Sequence, residues 1–168
     1  VWNEQVEESV RGASEDNINK LFISFVPPVG GDQAAYEAQI TALIQGADDS
    51  YKIGFVAANV VKVVAAVDAT IARVYDQTAV TQQIMNVVLA QYGQSAAAVK
   101  YGQFTVQNKV INQLLRANVP ALQDSRSDYS VTVAPVTGQL PEDYRYMDAT
   151  SLTVTVSLST YTSGSWGV

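Results

Sequence analysis

From Ser151 to Thr160 the chain reads SLTVTVSLST, apolar and hydroxyl side chains alternating for ten residues without a charge. A period of two places Leu152, Val154, Val156 and Leu158 on one face and Thr153, Thr155, Ser157 and Ser159 on the other, which predicts a half-buried strand. A similar alternation sets Leu21, Ile23 and Phe25 against Phe22, Ser24 and Val26, and Pro27-Pro28 stops it. A third strand begins at Tyr129, with Val131 and Val133 on the same face.

Between these strands the spacing changes. Asp32 is placed to cap a helix that carries Tyr36, Ile40, Leu43 and Ile44 on one side, with Gly46 as its stop. Over residues 55–76, Val56, Val60, Val63, Val64, Val67, Ile71 and Val74 form one stripe, with Asn59, Lys62, Arg73 and Asp76 opposite. That spacing predicts a long helix. A third helix, capped near Thr78, turns Val80, Ile84, Val87 and Val88 inward until Gly93. A fourth runs from about Ser95 to Ala117 and closes at Asn118-Val119-Pro120.

Strands at the two ends and helices between them predict an α+β fold, with an antiparallel sheet of about three strands against a central bundle of about four helices. Residues 1–17 read as an acidic arm or short helix, 18–161 as one domain and 162–168 as a tail.

Composition narrows the function. Hydrophobic residues make up 48% of the chain, enough for a core, while only 15% are charged. That charge share lies below the roughly 25% of an ordinary globular surface and favours surfaces that pack on one another. There is no cysteine and no histidine, so thiolate sites, disulfides and a Ser-His-Asp triad are excluded within this chain. The longest central uncharged stretch, Gln77 to Val99, holds Gln77, Gln82, Gln83, Asn86, Gln91 and Gln94. Those amides are costly in lipid, so no membrane span is expected.

Charge is segregated. Residues 1–49 carry nine acids against two bases, residues 50–126 seven bases against three acids, and residues 127–168 four acids against one base. A basic middle between acidic ends satisfies itself internally or meets neighbours head to tail.

Few motifs carry chemistry. The carboxylate pairs Glu7-Glu8, Asp48-Asp49 and Glu142-Asp143 point apart on any regular element, so each is expected to be solvated surface rather than an acid–base dyad. Ser165 in SGSWG lacks the spacing of a nucleophile elbow and has no histidine to serve it. No phosphate loop is present, and no cofactor or metal is expected. Lys100, Tyr101, Phe104, Lys109 and Arg116 make only a thin basic and aromatic set on a chain of net charge −6, so no direct nucleic-acid partner is expected.

The last strand poses the functional question. An edge strand of this kind normally carries a lysine, a proline or a bulge against edge-to-edge pairing, and none lies between Leu152 and Tyr161. Either the strand is central in its own sheet, between the strands at Lys20 and Tyr129, or a partner chain covers it. Tyr144, Arg145, Tyr146 and Met147 are residue types enriched at interfaces. Trp2 and Trp166 stand near the two ends, and Tyr161 lies beside the strand. These seven are the expected assembly interface. The expectation is a non-enzymatic structural subunit that binds copies of itself and other assembly proteins through strand edges and terminal arms, in a virion, a filament or an extracellular surface assembly. The alternative is a small ligand-binding domain with a Tyr- and Val-lined pocket between helices and sheet.

Overall fold

The computed structural model describes residues 1–28, 30–94, 106–136, 138 and 140–160. The expected tail, with Tyr161, Ser165 and Trp166, lies outside the described residues, as do Ser95, Lys100, Tyr101 and Phe104. Among the described residues there are four α-helices and seven strands, and their contacts gather into two units. The first holds residues 1–61, 138 and 140–145; the second holds 62–94, 106–136 and 146–160.

In the first unit, α1 (Glu4–Arg11) starts at Asn3, whose side chain accepts the Val6 N–H. Strand β1 (Lys20–Ile23) is followed by α2 (Gln33–Ala47) and β2 (Lys52–Phe55). The two strands are parallel, with Lys20 beside Lys52 and Ile23 beside Phe55. A parallel pair needs a long crossover, and α2 supplies it. Asp32 caps α2 as its position in the sequence implies, accepting from Ala34 and Ala35 N–H at 3.0 and 3.4 Å. No residue of α2 is fully buried: Tyr36, Ile40 and Ile44 are half-covered, and Leu43 is 78% exposed. Phe25 meets Tyr36 and Phe55 edge to face, each at 6.3 Å.

The second unit is built around β4 (Ala65–Ile71), followed by α3 (Gln77–Tyr92), α4 (Asn108–Asn118), β5 (Asp128–Val133) and β7 (Leu152–Leu158). The sheet order is β5-β4-β7, antiparallel to β5 and parallel to β7. Val67 lies between Val131 and Val154, and Ala69 between Tyr129 and Val156. Helix α3 packs on β7, and α4 packs on α3 and β5. Asp76 caps α3, and Gly93 ends it where an added Cβ would collide with the Leu89 carbonyl. Two short strands, β3 (Asn59–Lys62) and β6 (Asp143–Tyr146), pair with each other.

The expected antiparallel three-stranded sheet is therefore corrected to three sheets among the described residues: the parallel β1–β2 pair, the β3–β6 pair and a mixed sheet of three strands. The cause lies in residues 55–76. Where a helix was expected, the chain forms the end of β2, all of β3 and all of β4. Val63, Ala65, Val67, Ala69 and Ile71 are all buried, while Asp68 and Thr70 are exposed, a strict period of two. Val60, Val64 and Val74, which completed the helical stripe, are exposed, Val60 by 48%. β-Branched valines suit the pleated surface, and the small alanines between them are apolar positions that the stripe left out. The fourth helix is described from Asn108, and α3 begins at Gln77 behind Asp76 rather than behind Thr78. No helix among the described residues is long and apolar enough to cross a membrane.

Candidate functional site

Strand β7 is an edge of its sheet, not the centre: β4 takes the middle position, and β1 belongs to the other unit. Two backbone bonds fix which groups of β7 are used. Ala65 N–H donates to the Ser151 carbonyl at 3.0 Å, and Ser159 N–H donates to the Ile71 carbonyl at 2.8 Å. In a parallel pair this phase turns the odd-numbered residues of β7 toward β4 and the even-numbered ones outward. The N–H groups of Val154, Val156 and Leu158 and the carbonyls of Val154 and Leu158 thus face away from the sheet, and no partner for them is found among the described residues. The Val156 carbonyl is the exception, because it accepts from the Gln77 side-chain amide at the start of α3.

The two faces of this sheet differ in chemistry. On one, Leu152 and Val156 are buried beneath the helices with Val67, Ile71 and Val131. On the other stand Asp68, Thr70, Ser130, Thr132, Thr153, Thr155 and Ser157, all exposed. Thr70 and Ser157 hydroxyls lie 3.1 Å apart across β4 and β7. A shallow groove of about 170 Å³ on this face is lined by Asp68, Thr70, Asp128, Ser130, Thr155 and Ser157. The alternation in the sequence identified both faces; it did not identify the outer edge, which depends on strand order.

The five expected interface residues that are described, Trp2 and Tyr144 to Met147, lie inside their units. Trp2 is 8% exposed, stacks on Phe22 with ring centroids 6.0 Å apart and exchanges two backbone bonds with it, each 2.9 Å. Tyr144, Arg145 and Tyr146 are buried in β6, and Met147 is buried beside Tyr92, whose carbonyl takes its N–H at 2.7 Å. Each of these side chains presents little surface to a partner.

The carboxylate pairs hold a surprise. Glu7, Glu142 and Asp143 are buried, where solvated surface was expected, while Asp48 and Asp49 are exposed. The Trp2 indole donates to Glu7 at 2.7 Å, from the position preceding the cap of α1 to its fourth residue. Arg11, one turn beyond Glu7, donates to both Glu7 oxygens at 2.8 and 2.7 Å and to Glu142. Asp143 accepts from Asn59 at 2.7 Å, from the Leu140 N–H at 3.0 Å and from Arg145 at 2.8 Å. Burial raises the Asp143 carboxyl, but the Leu140 N–H, the Asn59 amide and the Arg145 guanidinium together bring it below the ordinary aspartate range. Adjacent in sequence, Glu142 and Asp143 serve different partners, so they form no acid–base dyad. Arg11 and Glu142 are 131 residues apart, which is why no local signal in the sequence announced this network.

Outside it, Lys62 and Asp148 form an exposed ion pair that holds the Asp148 carboxyl well below its usual range. Arg126 brings Asp124 down to about 2. No cluster of three or more acidic, histidine or cysteine side chains suited to a metal is found among the described residues. No family model matches the chain, and no curated protein matches it.

Proposed function

We propose that this chain is a non-enzymatic structural subunit that assembles with copies of itself, and that the outer edge of β7 is the joint. The reading is carried by one observation: five outward backbone groups at Val154, Val156 and Leu158 stand on a strand without charge, proline or bulge. Such an edge is a template for another strand. Two copies of β7 meeting antiparallel about a two-fold axis extend each three-stranded sheet into one of six strands. The hydroxyl rows of the two open faces then become continuous. Low overall charge and the absence of histidine and cysteine suit a packed assembly, in a virion, a filament or an extracellular surface array.

The ligand-binding alternative has less support. Val67, Ile71, Ile84 and Val88 are closed to solvent between sheet and helices, filling the layer in which a Tyr- and Val-lined pocket was expected.

The test is Val154→Pro. The Val154 N–H points outward, so proline removes a donor from the edge without removing a bond to β4. Thr155→Lys, on the open face beside the edge, adds like charges across the same joint. Both variants are expected to sediment as smaller particles than the parent, with circular dichroism like that of the parent. A parent that stays monomeric at high concentration, or variants that assemble as well as it does, would sink the proposal.

A further inference from the structure

We infer that Gln77 guards the β7 edge: its side-chain amide holds the Val156 carbonyl and competes there with a second copy of the chain pairing along the whole strand. The inference rests on the self-assembly reading above and goes beyond it, by naming the residue that sets how readily the edge is used.

Edge strands that must stay unpaired in the free protein are protected by some device. Along β7 the usual ones are missing, since residues 149–160 carry no charge and no proline. The device present comes from another element. Gln77 is the first residue of α3, held in place by the Asp76 cap, whose side chain takes the Ala79 N–H at 2.7 Å. From there its amide reaches over the strand to Val156, the central outward-facing residue between Val154 and Leu158. An antiparallel neighbour exchanges two bonds with each outward residue it faces. With Gln77 in place, Val154 and Leu158 offer both groups, and Val156 offers its N–H and a carbonyl with one of its two acceptor sites taken. A bond from the incoming strand competes with the one from Gln77. Each joint joins two strands and therefore two copies of Gln77, so the guard costs it about two neutral hydrogen bonds.

The choice of residue fits this role. A lysine or proline would close the edge permanently, whereas a glutamine amide is neutral and leaves by rotating its side chain. At the first position of a helix its loss costs the helix little, because the Gln77 side chain makes no capping bond within α3.

The experiment compares the parent with Gln77→Ala and Gln77→Leu by sedimentation equilibrium, with Val154→Pro as reference. Leucine keeps the bulk and removes the donor. Each replacement is expected to tighten self-association about thirtyfold, the equivalent of two net neutral hydrogen bonds, one from each copy in the joint. Melting of the isolated chain should fall by roughly 2–4 °C, since the same bond is lost there. Amide exchange at Val154, Val156 and Leu158 should slow in the assembled variants relative to the parent at equal concentration. If Val154→Pro abolishes assembly but both Gln77 variants associate like the parent, Gln77 is no guard, and the self-assembly reading stands without it. If the parent and all variants remain monomeric at millimolar concentration, the self-assembly reading itself fails.

Discussion

Among the described residues, the first unit buries four hydrophobic side chains, Trp2, Phe22, Ile23 and Tyr144, beside four charged ones, Glu7, Glu142, Asp143 and Arg145. The second buries twenty hydrophobic residues, and its only buried polar ones are Ser151 and Ser159. Burying apolar surface stabilises by roughly 25 cal/mol per Å² whatever its partners. A buried charge is stable only while its specific partner stays in place. The second unit is thus held by many interchangeable contacts, and the first by a few that fail singly.

The largest expected effect strikes the second unit's centre. Val67 is fully buried in the middle strand, so Val67→Asp places an unpaired charge there and should cost about 5 kcal/mol. Denaturant melts read the loss. A variant that melts like the parent would mean that β4 is not the centre of that core. In the first unit, Arg145→Ala leaves Asp143 buried without its main cation and should cost about 3 kcal/mol. Hydrogen exchange resolved by peptide should place that loss in residues 1–61 rather than in β4; uniform loss would mean that the two units do not differ in this way.

Acid gives a milder test. The folded-state pKa of Asp143 lies below its unfolded value, so its contribution is fully present above about pH 4 and fades as the pH falls through the folded value. Stability followed from pH 6 to pH 3 should therefore decline less steeply in Asp143→Asn than in the parent, although the variant starts lower. Parallel curves would show that Asp143 contributes nothing to acid unfolding. The smallest effect belongs to α2. Leu43→Ser, at a side chain 78% exposed, should change stability by under about 0.5 kcal/mol. A loss of 2 kcal/mol or more would show that α2 is buried in solution.

How much of this was legible in the sequence follows the same division. Strand β7, its two faces, the Asp32 cap and the end of α3 at Gly93 depend on neighbours in the chain, and the residue pattern displayed them. Strand β4 was misread because Val63, Val67 and Ile71 satisfy both a four-residue and a two-residue spacing. The alanines at 65 and 69 decide between the two. The network of Arg11 with Glu142, and of Asn59 with Asp143, joins residues 131 and 84 positions apart. No periodicity records such distances. Edge status was hidden for a related reason, since it depends on which strands flank β4.

The order of strands around β4 also bears on how the chain is made. The parallel partner of Ala65 is Leu152, 87 residues later. A ribosome adding roughly 5 to 20 residues per second delivers that partner about 4 to 17 s after β4 itself. Until β5 emerges, after α3 and α4, both sides of this valine- and alanine-rich strand are unclaimed, and until β7 emerges one still is. The nascent chain is then most exposed to association with neighbouring nascent copies, and slow translation between residues 71 and 152 should raise its demand for chaperones.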